Sequence, residues 1–287
     1  MSLRSVRKTA ENIKKLEIQG AKNIALAAVR SLKKVKEKEY DQAVSLLKAS
    51  RPTEPMMRNI LDYITHKKDE GYSLKEAISF AEKLAEDSGK EVVEVGKEKI
   101  FNNYKILTHC HSSTVMNILK KAWAEGKRFE VYACEARPRY QGRITAKELA
   151  KTGIPVTLIV DSAARYYMNY FDIVLVGGDA FTAEGYLINK VGTGTIALAA
   201  HEAKTDFAVA IELLKYDPAT GSGKPEPIEE RNPKEVWEKP PKNVKIKNPA
   251  FDVTPPEYID LVITNKGITN PYSIQQMAKE HYPWLVK

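Results

Sequence analysis

A cysteine near the middle of the chain is the residue best placed to do chemistry. Cys110 lies in the stretch Thr108–Ser113, between a short apolar run and a segment whose apolar residues recur at helical spacing. Open parallel sheets place ligands and catalytic groups at such strand-to-helix turns. Ser112 or Ser113 can cap the following helix, whose dipole would make the Cys110 thiol easier to ionise. Taken alone, a cysteine is more often an inert packing residue, so its role depends on what else reaches it.

An aspartate that follows another apolar run is the second candidate. Asp179 comes after Gly177 and Gly178, at the end of the run Ile173–Val176. Desolvation beside a dry strand raises the pKa of a carboxyl group, which suits proton transfer near neutral pH. An aspartate that only caps the next turn is the alternative. Because the carboxyl ends of parallel strands share one sheet edge, we expect Asp179 near Cys110.

Other polar groups follow the remaining apolar runs and should reach the same edge. They are Glu135–Pro138, Asp161–Ser162, Glu212 with Lys215, and Thr264–Lys266. Cys134 lies inside a strand-like run and is expected to be a packing residue. The set combines a thiol with carboxylates and cations.

A glycine-rich loop and two histidines suggest further sites. Residues Asn189–Thr195 precede an expected helix at 196–203 and resemble an anion-holding loop, with Lys190 as its cation. The loop lacks the complete P-loop pattern, which argues against a nucleoside triphosphate. His109 and His111 flank Cys110, but two imidazoles without a nearby third ligand argue against a metal, and we predict none.

These candidates lie in the part of the chain where β-rich runs alternate with helical segments. The runs are 106–107, 129–133, 156–160, 173–176, 207–211 and 259–263, and most are separated by helices expected at 115–125, 145–152, 162–170 and 194–203. This alternation is typical of a parallel sheet covered on both faces. Residues 216–256 hold nine of the fifteen prolines, so we expect a long surface excursion rather than one helix or a central strand.

The first hundred residues are expected to be helical. One apolar stripe runs from Val6 to Ile24, and a capping box at Ser73–Glu76 opens another helix. No strand is evident there. We therefore predict an α/β protein with a helical N-terminal domain, residues 1–100, followed by a doubly wound, mainly parallel sheet in residues 101–287.

Composition restricts the class of protein. The chain has 287 residues, two cysteines and a formal net charge of +8. It has no apolar run of the roughly 18 residues that a membrane helix needs, and no recognisable signal peptide. Two cysteines cannot form a disulfide framework, so we expect a cytoplasmic protein. The positive charge suits an anionic substrate, while the lack of a zinc finger or RNP-type aromatic motif argues against nucleic acid.

Several segments, spread over nearly the whole chain, carry a family resemblance. They are Gln19–Ala21, Arg51–Thr53, Thr108–Ser112, Glu135–Pro138 with Gln141–Gly142, Gly178–Asp179, Ile188–Thr193, Lys215–Tyr216 and Asn248–Pro255. Together they resemble the family that unites archaeal ribose-1,5-bisphosphate isomerase, methylthioribose-1-phosphate isomerase and the regulatory α, β and δ subunits of translation initiation factor 2B. The resemblance implies a Rossmann-like second domain and a homo-oligomer built from dimers, with a hexamer among the options.

The resemblance also implies an activity. Isomerases of this family carry a catalytic cysteine and aspartate where this chain has Cys110 and Asp179, whereas initiation-factor subunits typically lack the pair. The Thr108–Ser112 form and the tail Pro249–Pro256 look most like the ribose-1,5-bisphosphate enzyme, which makes ribulose 1,5-bisphosphate in nucleotide (AMP) salvage. A non-catalytic regulatory subunit and a methylthioribose-1-phosphate isomerase are the alternatives. The family isomerases usually have arginine in place of Gln19, and its loss removes a bidentate phosphate contact.

The implied reaction is an aldose–ketose isomerisation that needs no cofactor. An acid must protonate the ring oxygen of the sugar while hydrogen moves from C2 to C1. We expect Asp179 to handle the oxygen-bound proton and Cys110 to act closer to carbon, with a direct hydride shift as the alternative. The expected substrate-binding groups are the backbone N–H groups of Gly20 and Ala21 and the side chains of Arg51, Ser112, Arg137, Asn189, Lys190 and Lys215.

Overall fold

Five α-helices occupy most of the first hundred residues. In the computed structural model, which describes residues 2–220 and 228–286, they are α1 (Ser2–Lys14), α2 (Ala21–Leu32), α3 (Tyr40–Ser50), α4 (Pro55–Asp69) and α5 (Leu74–Lys97). The capping box at the start of α5 is confirmed, since the Ser73 hydroxyl accepts from the Glu76 N–H and the Glu76 carboxylate accepts from the Ser73 N–H. The stripe from Val6 to Ile24 is split between two helices: Leu16, just after α1, has a φ of 61°, which does not continue a helix, and Gly20, the N-cap of α2, has a φ of 84°.

The second part of the chain alternates strands and helices, as predicted. Its strands are β1 (Lys105–Thr108), β2 (Glu130–Cys134), β3 (Val156–Ile159), β4 (Ile173–Val176), β5 (Ala180–Thr182), β6 (Leu187–Lys190), β7 (Asp206–Ala210), β8 (Tyr216–Asp217), β9 (Phe251–Thr254), β10 (Leu261–Thr264) and β11 (Gly267–Thr269). Its α-helices are α6 (Ser113–Ala124), α7 (Gln141–Lys151), α8 (Ala164–Tyr167), α9 (Thr193–Ala203) and α10 (Ile274–His281).

The larger sheet has the strand order β11-β10-β7-β4-β1-β2-β3. Its strands pair in parallel except β11, which is antiparallel to β10 at one edge. This is the order of a Rossmann-type sheet, in which the chain reverses its direction of winding between β1 and β4. Ligands bind outside the carboxyl ends of the strands at such a reversal. Cys110 follows β1 and Asp179 follows β4, so the two candidates flank this point.

Both faces of the sheet are covered by apolar side chains. On β4, Ile173 and Leu175 pack in the cluster that contains α6 and α7, whereas Val174 and Val176 pack in the cluster that contains α9 and the N-terminal helices. Helix α5 contributes to both clusters, with its first turns among the helices and Val92 against the sheet. Helix α5 ends just before residue 100, where the domain boundary was predicted, but its last turns pack against the sheet of the second part. The division into two domains at residue 100 therefore stays a prediction.

A second, four-stranded sheet with the order β8-β5-β6-β9 was not expected. Asn189 and Lys190 lie in β6 rather than in a loop, and α9 begins at Thr193 rather than at 196. Strand β6 pairs with β5 on one side and on the other with β9, which comes from the end of the proline-rich excursion. In its described part, residues 216–220 and 228–256, the excursion contains no α-helix, as predicted. Among residues 2–220 and 228–286, none of the helices combines the length and apolar composition of a membrane span.

Candidate active site

The turn that carries Cys110 is held in an uncommon backbone conformation. Cys110 has a φ of 65°, in the left-handed region that non-glycine residues seldom adopt. The Thr145 hydroxyl donates to the Cys110 carbonyl at 2.9 Å and so ties the turn to α7. Ser112 is the N-cap of α6, and its hydroxyl accepts from the Val115 N–H at 3.4 Å. Outliers of this kind cluster at functional sites, which is consistent with the expected role of this turn.

The Cys110 thiol is harder to ionise than the sequence suggested. Burial raises its pKa to about 11, and the nearby Lys190 only partly opposes this effect. The expectation that the dipole of α6 would make this thiol acidic is therefore wrong, because desolvation outweighs the favourable charges around it. At neutral pH the resting side chain keeps its proton.

Asp179 behaves as its position after a buried strand predicted. Its N–H donates to the Ile188 carbonyl at 2.9 Å, which anchors it beside β6. Burial raises the pKa of the Asp179 carboxyl, and Lys215, Lys190 and Arg51 partly oppose that rise. Cations from three separate parts of the chain thus surround this carboxyl group.

The thiol and the carboxyl group belong to one electrostatic environment. The Asp179 carboxylate contributes to the raised pKa of Cys110, and Lys190 acts on both groups. Strands β1 and β4, which precede the two residues, are direct neighbours in the sheet. The two residues therefore follow adjacent strands of the sheet, and their joint role stays a prediction.

Lys215 is the most buried cation of the site. Its ammonium group donates to the Gly178 carbonyl and forms an ion pair with Glu212, each at 2.9 Å. Burial opposes ionisation of Lys215, but Glu212 and Asp179 outweigh it and raise the pKa of Lys215. Lys215 therefore stays charged directly beside the peptide that precedes Asp179.

An acid that sequence reasoning missed comes from the helical part of the chain. Glu54 precedes α4, is only 4% exposed, and has one carboxyl oxygen without a hydrogen-bond partner. Burial, reinforced by Asp179, raises the pKa of Glu54 to about 7, although Arg51, Lys215 and Arg58 oppose the rise. The only signal in the sequence was an acid next to the Arg51–Thr53 motif, at the start of a helix.

Arg51 is close to the site but already has an anionic partner. It follows α3, acts on Asp179 and Glu54, and its guanidinium lies 3.4 Å from the Glu229 carboxylate. Glu229 belongs to the excursion and also contacts Arg231 at 3.4 Å. A cavity of about 280 Å³ adjoins this contact, lined by Ile13, Lys14, Leu16, Ser50, Arg51, Pro52, Thr53, Ile228 and Glu229.

The remaining predicted binding residues divide into two groups. Asn189 is buried and donates to the Thr193 hydroxyl at 3.0 Å, while the Lys190 ammonium lies 5.6 Å from the centre of the Phe251 ring. The Arg137 guanidinium contacts the Tyr140 hydroxyl and donates to the Val236 carbonyl at 3.0 Å, so it holds the excursion. Its role in substrate binding stays a prediction.

Gly20 and Ala21 stand at the start of α2. Gly20 has a φ of 84° and is the N-cap of this helix. Burial would raise the pKa of Glu212, but Lys215 outweighs it and lowers that pKa, with a smaller contribution from Lys22. Because Lys22 is the second residue of α2, the start of this helix lies near the edge of the sheet that carries Glu212. The Gln19 amide donates to the Leu16 carbonyl at 2.7 Å and is thus engaged within its own turn.

Two N–H groups of the glycine-rich loop are occupied by a carboxylate of the protein itself. One oxygen of the Asp252 carboxylate accepts from the N–H groups of Gly192 at 2.7 Å and Gly194 at 3.1 Å. A carboxylate of the protein itself therefore satisfies the positive end of α9. This carboxylate comes from β9, far along the chain, and the role of Asn189 and Lys190 in binding an anion stays a prediction.

Comparisons with known proteins agree over nearly the whole chain. Residues 17–271 match the model of the Initiation factor 2 subunit family. The ribose 1,5-bisphosphate isomerase of Thermococcus kodakarensis is 40% identical, with 99% of this chain and 97% of that protein covered. The ribose 1,5-bisphosphate isomerase of Pyrococcus furiosus is 41% identical, with 100% and 97% covered. The crystal structure of Pyrococcus horikoshii OT3 translation initiation factor eIF-2B has a TM-score of 0.81 and 30% identity, covering 93% of this chain and 97% of that one.

Proposed function

Because the chain belongs to the initiation factor 2 subunit family, we propose that it is an aldose–ketose isomerase that converts ribose 1,5-bisphosphate into ribulose 1,5-bisphosphate. The observation that carries this proposal is the identity of 40% to a ribose 1,5-bisphosphate isomerase over 99% of the chain. The presence of a thiol and a carboxyl group at the reversal point of the sheet supports it. We assign the activity to nucleotide salvage.

Cys110 and Asp179 are the proposed catalytic pair. They follow neighbouring strands, and the Asp179 carboxylate is near enough to affect the pKa of Cys110. The raised pKa of Asp179 supports its assignment as the proton donor, because a carboxyl group in that state can hold a proton closer to neutral pH. Because the Cys110 thiol is neutral, it does not repel the negatively charged sugar phosphate.

The proposed reaction begins at the ring oxygen, since the anomeric phosphate prevents the ring from opening as a free sugar does. Asp179 donates its proton to the ring oxygen, and the bond between that oxygen and C1 breaks. The hydrogen on C2 then reaches C1 either directly as a hydride, or as a proton that a Cys110 thiolate, formed when the thiol loses its proton to solvent, removes from C2 and returns to C1. Loss of the proton on O2 then completes the ketone, so that one proton enters and one leaves.

Three cations are proposed to bind the phosphates. Lys190, Lys215 and Arg51 all act on Asp179, which supports a positively charged surrounding for a bisphosphate. Binding at Arg51 would require a phosphate to compete with Glu229, its partner in the ligand-free chain. Ser112, at the start of α6, the turn at Gly20 and Ala21, and the side chains of Asn189 and Arg137 complete the proposed set.

A regulatory subunit is the second candidate function. It is favoured by the similarity to the crystal structure of translation initiation factor eIF-2B from Pyrococcus horikoshii OT3. The polar groups assembled around Asp179 favour the isomerase instead, because a surface that only binds a protein does not need a half-buried thiol, two buried acids and a buried lysine in one environment.

The test is to incubate the pure protein with ribose 1,5-bisphosphate, and separately with methylthioribose 1-phosphate, and to follow the ketose product by NMR. We expect turnover of the bisphosphate with a kcat/KM at least roughly tenfold above that of the thioether substrate. The reverse preference would reassign the substrate. No turnover of either compound, together with tight binding to initiation factor 2, would replace the isomerase by the regulatory subunit.

We further propose that the protein is a cytoplasmic homo-oligomer. Both cysteines are free thiols, which suits a reducing compartment. Large apolar side chains are exposed on and after the edge strand β3, namely Leu158, Val160, Tyr166, Tyr167 and Tyr170. Light scattering coupled to size exclusion would test the assembly, and a monomer at micromolar concentration would contradict it.

A further inference from the structure

The carboxyl ends of three adjacent strands bring three metal-binding side chains together. His109 follows β1, Cys134 is the last residue of β2, and Asp161 lies just after β3. One donor atom from each of these residues lies within 4.8 Å of the other two. The sequence suggested only a pair of histidines, but the structure separates that pair, since His111 contacts Thr145 and Glu148.

His109 has an unused lone pair in a dry environment. The residue is 2% exposed, and its Nε2 lies 3.2 Å from the Val191 carbonyl oxygen. A carbonyl can only accept, so Nε2 carries the hydrogen and Nδ1 of the neutral ring is left as an acceptor. This Nδ1 is buried and has no hydrogen-bond partner. A buried nitrogen acceptor without a hydrogen-bond partner destabilises the folded state unless a ligand binds to it.

The other two donors complement this nitrogen. Cys134 is fully buried and is a free thiol. The Asp161 carboxylate is oriented by the N–H groups of Ala136 and Arg137, each at 2.8 Å, and each of its oxygens keeps a further lone pair. Backbone contacts of this kind commonly orient metal-binding carboxylates. Asp161 is also partly exposed, which leaves a route for an ion from solvent.

We propose that His109 Nδ1, Cys134 Sγ and an Asp161 carboxylate oxygen bind a divalent transition-metal ion, with Zn²⁺ as the ion that fits this donor set. Nitrogen, thiolate and carboxylate are the protein ligands of zinc, and three of them leave the fourth position to water. On binding, the thiol proton is released to solvent and the metal–sulfur bond forms, without any change of oxidation state. The thiolate and carboxylate charges balance the charge of the ion.

The ion would be a positioning element rather than a catalytic one. Zinc–ligand bonds of about 2.0–2.3 Å require the donors to close together by side-chain rotation from their present spacing. The bound ion would join the ends of three strands directly before the turns at Cys110 and Ala136, which have φ values of 65° and 59°. It would therefore hold the Cys110 turn in place.

The experiment uses the full-length chain after chelator treatment, with Co²⁺ as the probe. We expect one equivalent of Co²⁺ to bind with a thiolate-to-cobalt charge-transfer band, and Zn²⁺ to displace it. Cys134→Ser should abolish the band and weaken binding at least roughly tenfold. The matched controls Cys110→Ser and His111→Gln should keep both the band and the affinity.

A second measurement needs no variant. X-ray absorption at the cobalt edge of the wild-type protein should show one sulfur neighbour at about 2.3 Å and nitrogen or oxygen neighbours at about 2.0–2.2 Å. A coordination shell without sulfur would overturn the proposal, as would failure to bind one equivalent. Loss of the band in Cys110→Ser with retention in Cys134→Ser would overturn it too. None of these readouts depends on enzyme activity.

Discussion

Gly177 lies directly against Ser112. A methyl group built on Gly177 would come within 2.3 Å of the Ser112 hydroxyl oxygen and 2.6 Å of its Cβ. The end of β4 and the start of α6 can approach this closely only because position 177 has no side chain. The contact closes the reversal point of the sheet and fixes the Cys110 turn relative to Asp179.

The first prediction tests this contact. Gly177→Ala should lower the free energy of unfolding by about 1–3 kcal/mol, because the added methyl group forces Ser112 to move. The loss should be smaller when the same substitution is made in a Ser112→Gly background. Chemical denaturation of the four proteins in this cycle measures both values. Equal losses in the two backgrounds would contradict the steric explanation.

The second prediction concerns the proposed catalytic pair. Cys110→Ser and Asp179→Asn should each lower kcat for ribose 1,5-bisphosphate at least roughly 100-fold, because each removes a group that handles a proton. The far-ultraviolet circular dichroism of both variants should match the wild type. Asp206→Asn is the control, since this exposed residue begins β7 at the opposite end of the sheet. Near-normal turnover by either variant would remove that residue from the mechanism.

The third prediction is a dependence of stability on pH that originates at Glu54. Its pKa is about 7 in the folded chain, against 4.5 as its ordinary value, so the folded state binds more protons between these two pH values. Stability from this group is therefore fully present below about pH 4.5 and is lost as the pH rises through 7. Glu54→Gln keeps the neutral form at all pH values.

The measurement is the free energy of unfolding of wild type and Glu54→Gln at pH 5 and pH 8. Relative to wild type, we expect the variant to gain roughly 2–4 kcal/mol between the two pH values. Glu257→Gln, at an exposed position, should follow the wild type. A constant difference between Glu54→Gln and wild type would show that the folded chain does not raise the pKa of Glu54.

The fourth prediction concerns the buried ion pair of Lys215 with Glu212. Lys215→Met should lower the free energy of unfolding by about 3–5 kcal/mol, because it leaves the Glu212 charge buried without its partner. The double variant Lys215→Met with Glu212→Gln should recover part of that loss. Thermal unfolding of the single and double variants checks this, and a double variant no more stable than Lys215→Met would contradict the explanation.

The parallel sheet could be predicted because its strands are local, uninterrupted apolar runs. All four residues of Ile173–Val176 are buried. In the helices between the strands, apolar residues instead recur at helical spacing. The small sheet could not be predicted, because β6 pairs with β9 as well as with its neighbour β5, and β6 and β9 are distant in the chain. For the same reason, the sequence did not reveal that Asp252 would occupy the start of α9.

The sequence by itself determined the family, the order along the chain of the six parallel strands of the larger sheet, and the strand ends at which Cys110 and Asp179 occur. Only the tertiary structure decided which groups share an environment: Glu54 beside Asp179, Glu229 on Arg51, and His109 with Cys134 and Asp161. The physical reason is that the spacing of apolar residues in a sequence carries information only about residues a few positions apart in the chain. Desolvation and electrostatic fields are instead set by side chains that meet only after the chain has folded, which is why the dipole argument for Cys110 failed.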